Sequence, residues 1–210
     1  MPLSSYIHSV RALRIAAITV ALFSLLMMSG CWMFSLQPLF DGGSDPDLIF
    51  DESLVGAWGH EAEGCQWTLT VQASVRAYDM AMAPGAGCKT DDKTDEKTTR
   101  YLAYLVKVDN HRFLDVSPKQ SEVCDLCLSV HTFALLSLEN NTLSLTPLDG
   151  DWLDKTIKEK KVAMAYVGGE RTDIDITLNA QPAELKTLLR TYANDSAAFK
   201  PSGRLVFTRK

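Results

Sequence analysis

The feature that most constrains the fold is a hydrophobic alternation with a period of two. Between Cys65 and Gln72, apolar side chains alternate with Gln and Thr. This period is typical of a β-strand with one buried face, because successive side chains point to opposite sides. Further strands are predicted near Val55 to Trp58, Arg100 to Val108, Arg112 to Val116, Leu128 to Leu138, Val162 to Val167, Thr172 to Leu178 and Arg204 to Arg209.

The segment 136–145 predicts a tight hairpin. Its centre is Asn140-Asn141, and asparagine tolerates the positive φ that two-residue hairpin turns require. A turn at these residues places Leu138 opposite Leu143. Two residues further from the turn, Leu136 lies opposite Leu145 on the same face.

A second hairpin is predicted around Ala73-Ser74. A turn there places Leu69 opposite Tyr78 and Trp67 opposite Met80, so the large side chains share one face. With the four leucines of the first hairpin they form a predicted inward-facing set: Trp67, Leu69, Tyr78, Met80, Leu136, Leu138, Leu143 and Leu145.

Two helices interrupt the strands. The first runs from Asp151 to Lys161, with Asp151 as its predicted N-cap and lysines near its end. The second runs from Pro182 to Asn194 and carries an apolar stripe typical of a helix that packs on a core. The chain therefore predicts a mainly β fold, an antiparallel barrel-like or strongly curved sheet of about 8 to 10 strands with two short helices.

The first thirty residues have the properties of an export signal. Arg11 and Arg14 precede an uncharged apolar run from Ile15 to Met28, which is shorter than the roughly 20 residues of a membrane-spanning helix. The run ends in Ser29-Gly30-Cys31, where small residues suit a cleavage site.

Met28-Ser29-Gly30-Cys31 resembles the lipobox of bacterial lipoproteins. The resemblance implies cleavage before Cys31 and acylation of that cysteine, so the membrane becomes a partner through the lipid on Cys31. Residues 1–30 are then a signal peptide, 31–50 a lipidated tether whose apolar half lies at the lipid interface or packs on the domain, and 51–210 a single β-rich globular domain. Trp32 is not the Asp that retains lipoproteins in the inner membrane, which favours the periplasmic face of the outer membrane.

Charge excludes one class of partner. Removing Arg11 and Arg14 with the signal changes the formal net charge from −5 to −7. A mildly acidic mature chain argues against nucleic acid as a partner.

Four further cysteines are expected to form disulfides. Cys65, Cys88, Cys124 and Cys127 are an even number in an oxidising compartment and allow three pairings. The predicted pairs are Cys65 with Cys88 and Cys124 with Cys127. Zinc and redox chemistry are the alternatives, but no second close-spaced pair accompanies the CxxC, and a strand rather than a helix is predicted after it.

Gly56-Ala57-Trp58 resembles the Gly-x-Trp motif at the start of lipocalin-type barrels. In that family the Trp plugs the closed end of the barrel and an Arg from the last strand packs over it. The resemblance implies this role for Trp58, with Arg204 or Arg209 as the arginine. The helix at 151–161 and a final strand after the second helix depart from the family pattern.

Other segments resemble a group of bacterial lipoproteins without an assigned activity. The resemblance implies a shared fold and brings no chemistry. The segments that carry it are Phe50 to Trp58, His111 to Val116, Val130 to Phe133, Leu148 to Leu153 and Ile176 to Leu189.

Catalytic and metal-binding patterns are not predicted. His60, His111 and His131 are far apart in sequence and lack metal-ligand spacing, so each is interpreted as a surface or hydrogen-bonded histidine. We therefore expect a non-enzymatic envelope lipoprotein without a cofactor, whose domain supports the envelope or binds a partner protein. The alternative is a lipocalin-like carrier of a small apolar ligand, for which Trp58 and the inward-facing set are the candidate lining. A periplasmic enzyme is the less favoured third hypothesis.

Overall fold

The computed structural model describes residues 33–62, 64–88, 98–119, 129–168 and 176–210. Helices α1 (Gly150–Lys158) and α2 (Pro182–Tyr192) and two short 3-10 turns, Glu52–Leu54 and Pro201–Gly203, accompany the strands. The strands are β1 (Phe34–Ser35), β2 (Leu48–Ile49), β3 (Gly56–Ala62), β4 (Cys65–Ser74), β5 (Ala77–Pro84), β6 (Thr99–Val108), β7 (His111–Pro118), β8 (Thr132–Glu139), β9 (Thr142–Pro147), β10 (Tyr166–Val167), β11 (Thr177–Leu178) and β12 (Leu205–Arg209).

Eight antiparallel strands form a closed barrel. From β3 to β9 each strand pairs with the next along the chain, and β12 pairs with both β9 and β3. This ring confirms the predicted mainly β, antiparallel barrel with two short helices. An extra strand, β2, pairs with the second half of β6, and β1, β11 and β10 form a small separate sheet.

The hairpin between β8 and β9 has the predicted register. Leu138 lies opposite Leu143 and Leu136 opposite Leu145. Asn140 has a φ of +54°, which is the conformation the turn requires and asparagine tolerates.

The hairpin between β4 and β5 turns two residues later than predicted. Ser74 pairs with Ala77, so the turn is Val75-Arg76 and not Ala73-Ser74. Leu69 therefore lies opposite Met82, and Trp67 opposite Pro84. The faces are unchanged, because each partner moves along its strand by an even number of residues.

The predicted helices are present with shifted ends. The N-cap of α1 is Asp149 rather than Asp151, because its carboxylate accepts a hydrogen bond of 2.8 Å from the N–H of Trp152. The predicted strand from Val162 to Val167 contains only the two residues of β10. The predicted strand from Thr172 to Leu178 is described from residue 176 on, and Thr177 and Leu178 of this part form β11.

Two hydrophobic cores lie on the two sides of the barrel wall. The inner core lies inside the barrel and includes Trp58, Tyr78 and Leu143. The outer core packs both helices against outward-facing residues such as Phe113 and Phe133. The barrel wall is therefore covered on one side by the segments that leave the ring.

The segment expected to be a tether packs on the domain as far as the structure describes it. Met33, Leu39 and Leu48 are 1%, 0% and 3% exposed and belong to the outer core. Asp45, 5% exposed, accepts a hydrogen bond from Lys186 of α2 at 2.9 Å. Within the described residues, the helices are too short or too polar to cross a membrane.

Candidate functional site

A cavity opens at one end of the barrel interior. A cavity of about 480 Å³ lies at the end of the barrel where β4, β6, β8 and β12 begin, which we call the mouth. All eight barrel strands contribute side chains to its wall. The wall is mostly apolar, with Trp67, Leu69, Met80, Met82, Val116, Ala134, Leu145, Leu205 and Phe207 among its residues.

The predicted inward-facing residues divide between this cavity and the filled half. Trp67, Leu69, Met80 and Leu145 line the cavity. The others do not border the cavity and pack toward the opposite end of the barrel, which we call the closed end: Trp58, Tyr78, Leu136, Leu138 and Leu143.

Sequence reasoning missed His60, Tyr101, Ala134 and Phe207 as lining residues. Extending the alternation from Trp58 to His60 on β3 was the available signal, because residues two apart share a face. The same extension from Leu136 reaches Ala134 on β8, whereas Tyr101 and Phe207 lie on strands whose location was predicted without a register.

The closed end is sealed by the segment that enters β3. The indole N–H of Trp58 donates to the carbonyl of Leu54 at 3.0 Å, and Trp58 is fully buried. The hydroxyl of Tyr78 accepts a hydrogen bond of 2.7 Å from the N–H of Asp51. Burial raises the pKa of Tyr78, so the phenol stays neutral. Its polar tip is therefore used in the seal and does not face the cavity.

Arg209 has the role that the lipocalin resemblance implies for an arginine of the last strand. Its guanidinium lies 4.3 Å from the centre of the Trp58 ring and donates to the carbonyls of Val55 and Ser53. Arg204, the other candidate, points elsewhere and lies 3.4 Å from the hydroxyl of Thr146. Gly56 makes this packing feasible: its φ is +142°, and a Cβ there would lie 2.9 Å from Nη1 of Arg209.

His60 is the polar side chain of the cavity with the best-defined chemistry. It lines the cavity beside Phe207, with ring centres 5.2 Å apart. Its Nδ1 lies 2.7 Å from the carbonyl of Val206, and a carbonyl only accepts, so Nδ1 carries the hydrogen. In the neutral ring Nε2 is then a hydrogen-bond acceptor available to a ligand hydroxyl or amide.

Two further hydroxyls belong to the cavity wall. Thr132 Oγ1 is buried without a hydrogen-bond partner among the described residues. Tyr101 lies at the start of β6, also toward the mouth. The lining that the described residues provide contains no Asp, Glu, Lys or Arg. The wall therefore offers hydrogen bonds near the mouth and no fixed charge.

His131 and His111 hold parts of the fold together, and His131 also lines the cavity. His131 Nδ1 lies 2.7 Å from Asp115, whose side chain is fully buried and also accepts a hydrogen bond from the N–H of Leu39. Nε2 of His111 lies within hydrogen-bond distance, 3.1 Å, of Oδ1 of Asn194. Among the described residues, no cluster of three His, Cys, Asp or Glu side chains has the arrangement of a metal site.

A disulfide lies at the mouth of the barrel. The structure confirms the pairing of Cys65 with Cys88, which ties the start of β4 to the segment after β5. The two backbones are so close there that a Cβ on Gly87 would lie 2.0 Å from the carbonyl oxygen of Gly64. Cys31, Cys124 and Cys127 lie outside the described residues, so their lipidation and pairing stay predictions.

Comparison with known proteins finds no protein family, no curated protein and no solved structure that matches the chain.

Proposed function

We propose that the domain is a lipid-anchored carrier that binds a small, largely apolar ligand inside the barrel. The observation that carries this proposal is the cavity of about 480 Å³. Ligand pockets commonly measure roughly 300 to 1,000 Å³ and have apolar walls with few polar groups. Transfer of an apolar ligand from water into such a pocket is favourable, with a free energy roughly proportional to the apolar area that is buried.

The volume of the interior favours a carrier over a purely structural domain. Envelope support or binding of a partner protein requires only a barrel filled by its own side chains, as small barrels often are. Here side chains such as Trp58 and Tyr78 fill the closed end, while Trp67, Leu69 and Met80 border the cavity. The alternative expectation from sequence, a lipocalin-like carrier, therefore becomes the preferred proposal.

The polar groups of the wall suggest that the ligand is amphipathic with an uncharged polar end. His60 and Thr132 supply hydrogen-bonding atoms toward the mouth. An ionised carboxylate would lose its hydration without meeting a lysine or arginine among the described lining residues, which is costly. A hydroxyl or amide at the end of an apolar chain would lose less.

Acylation of Cys31 is part of this proposal. It would hold the carrier on the periplasmic face of the envelope, with the outer membrane favoured, and it involves neither nucleic acid nor an enzymatic step. Metabolic labelling with a clickable fatty acid tests the anchor. Label that appears in the wild type and disappears in Cys31→Ser is expected, and equal labelling of both would contradict the anchor.

A titration with an uncharged dye that fluoresces in apolar surroundings tests the carrier. We expect saturable binding to the wild type and loss of binding in Ala134→Trp, because Ala134 lines the cavity and is 6% exposed. Val75→Trp is the matched control, since Val75 is 91% exposed and lies in the turn at the closed end. A folded wild type without saturable binding would refute the carrier.

A further inference from the structure

We propose that the ligand belongs to the class of alkyl-substituted phenols, in which a flat aromatic ring carries a hydroxyl group and is joined to a saturated hydrocarbon part. This inference rests on the proposed function and names the class of ligand for the same cavity. Its basis is the uneven distribution of side-chain types around the cavity wall.

Three rings form a row across neighbouring strands on one side of the cavity. Phe207 of β12, His60 of β3 and Trp67 of β4 all line the cavity, and we call them the aromatic row. The ring centres of His60 and Phe207 are 5.2 Å apart with 46° between the ring planes. His60 lies directly opposite Trp67 in the register of β3 and β4, and such pairs have Cβ atoms about 4.5 to 5.5 Å apart. All three strands are described over their full length.

The same side of the wall continues with two thioethers and a further ring. Met80 and Met82 of β5 line the cavity, and Tyr101 of β6 lies opposite Met80. The sulfur of methionine makes favourable contacts with aromatic rings, and its flexible side chain adapts to their shape. Leu69 of β4 is the aliphatic residue on this side. Strands β12, β3, β4, β5 and β6 therefore present mainly aromatic and thioether groups to a ligand.

The opposite side of the wall is mostly aliphatic. Strands β7, β8 and β9 contribute the lining residues Val116, Pro118, Thr132, Ala134, Leu145 and Pro147. Leu205, at the start of β12, pairs with Leu145 and extends this side. Phe34 and His131 also border the cavity, and the ring of His131 is bound to Asp115 at 2.7 Å. Aliphatic side chains suit a saturated hydrocarbon, because they stabilise it through buried area and dispersion.

The aromatic row favours a ligand with an aromatic ring over one with a saturated ring of the same size. Aromatic rings have an electron-rich face and an electron-poor edge, so two rings attract each other in offset-stacked and edge-to-face arrangements. This attraction adds to the burial of apolar area and corresponds to about 2- to 12-fold in affinity for one ring contact. A saturated ring buries similar area without it.

His60 supplies a partner for a hydroxyl on that ring. Its Nδ1 donates to the carbonyl of Val206 at 2.7 Å, so Nε2 of the neutral imidazole is an acceptor. A phenol is uncharged at neutral pH, as tyrosine is with a pKa of about 10, and its hydroxyl donates. His60 has Phe207 on one side and Trp67 on the other. One ligand ring can therefore contact the row while its hydroxyl bonds to Nε2.

Two compounds with the same carbon skeleton test the ring. Para-butylphenol and the matching butylcyclohexanol each carry one hydroxyl, and they differ in whether the ring is aromatic or saturated. Binding of each compound to the full chain is measured by calorimetry and by displacement of the dye used for the carrier. We expect the wild type to bind para-butylphenol about 10-fold more tightly than the saturated alcohol.

Trp67→Leu removes one ring from the row and keeps an apolar wall. We expect the preference for para-butylphenol to fall to about 2-fold, while Trp67→Phe, which keeps a ring, retains most of it. Val116→Ala is the matched control on the aliphatic side of the cavity. It should weaken binding of both compounds equally and leave the preference unchanged. Circular dichroism verifies that each variant is folded.

Each remaining outcome has a distinct meaning. Equal affinities of the wild type for the two compounds would overturn the aromatic ligand and leave the carrier in place. An unchanged preference in Trp67→Leu would assign it to the more acidic phenolic hydroxyl and overturn the role of the row. A wild type that binds neither the compounds nor the dye would refute the carrier, and this inference with it. The wild-type comparison needs no variant, so it decides the matter even if Trp67→Leu does not fold.

Discussion

The guanidinium of Arg209 lies 4.3 Å from the centre of the Trp58 ring and joins the last barrel strand to the first at the closed end. It stabilises the seal in two ways. The cation faces the electron-rich ring, and its N–H groups satisfy the carbonyls of Val55 and Ser53 just before β3.

Arg209→Ala is therefore expected to lower the free energy of unfolding by about 1 to 2 kcal/mol, the sum of a partly exposed cation–π contact and hydrogen bonds from a charged donor. Urea unfolding followed by tryptophan fluorescence measures the loss. Arg204→Ala is the matched control and should change stability by less than about 0.5 kcal/mol, because its hydrogen bond to Thr146 is long, at 3.4 Å, and Arg204 makes no contact with Trp58. Equal effects of the two substitutions would contradict a specific role for Arg209.

Gly56→Ala is expected to destabilise the closed end. A side chain is strained at φ +142°, and its Cβ would lie 2.9 Å from Nη1 of Arg209. We expect a loss of about 2 kcal/mol in the free energy of unfolding. The loss should be smaller when Arg209 is already Ala, because the crowded atom is then absent. An additive double variant would show that the backbone conformation alone accounts for the loss.

Acid should weaken the attachment of the amino-terminal segment to α2. Burial disfavours the ionised form of Asp45, but the N–H of Asp41, the ammonium of Lys186 and the N–H of Asp47 outweigh it and lower the pKa of Asp45. Because the pKa of Asp45 is lower in the folded protein than in the unfolded chain, where it is about 3.9, the unfolded chain binds more protons as the pH falls toward and below 3.9. The stability that Asp45 contributes is therefore complete above about pH 3.9 and is lost as the pH falls toward the folded-state pKa. Urea unfolding between pH 7 and pH 3 should show a shallower acid loss in Asp45→Asn. A parallel loss in both proteins would exclude Asp45 as a source.

The disulfide at the mouth should stabilise the domain. Cys65 and Cys88 are 23 residues apart, and closing a loop of that length contributes about 3 kcal/mol in the chain-entropy model. The variant with both cysteines changed to Ser should lose this amount, measured by urea unfolding under oxidising conditions. A reductant should lower the stability of the wild type by more than that of the double variant, in which the predicted Cys124–Cys127 pair is the disulfide left to reduce. Equal sensitivity of both proteins to reductant would point to another disulfide.

His60→Phe should change ligand preference and not simply abolish binding. The acceptor at Nε2 disappears while the apolar wall is kept, so a long-chain alcohol should displace the bound dye about 10-fold less well from the variant than from the wild type. A saturated hydrocarbon of equal length should displace it equally well from both. A uniform loss for both competitors would indicate damage to the cavity and not a role for His60 in recognising the polar end.

The barrel class was predictable from sequence because alternation and turn residues are local signals. Asn140-Asn141 set the β8–β9 register, since asparagine suits the positive φ of that turn. Ala73-Ser74 carries no such constraint. The period of two also cannot distinguish two turn positions that differ by two residues, because both positions leave the same side chains on the same face. The observed turn lies instead at Val75-Arg76, where Arg76 has a φ of +54°.

The cavity was not predictable from the same signals. The alternation correctly placed Trp67 and Leu143 in the interior. Trp67 borders the cavity, whereas Leu143 is packed among other side chains. Whether an inward-facing side chain borders the cavity or is packed depends on the stagger of the eight strands and on the Asp51–Val55 segment that seals one end. Both involve contacts between residues that are far apart in the sequence. Packing of Met33 and Leu39 on the domain was likewise one of two arrangements that an apolar tether allowed.

The closure of the ring by β12 determines the order in which the barrel can be completed. The strands from β3 to β9 pair with their neighbours along the chain, whereas β12 follows both helices and bridges β9 and β3. A nascent chain that ends before β12 can build a seven-stranded meander but keeps two unpaired edges, which are sites of intermolecular strand pairing. Deleting the five residues of β12 would therefore leave an open sheet with two unpaired, aggregation-prone edges.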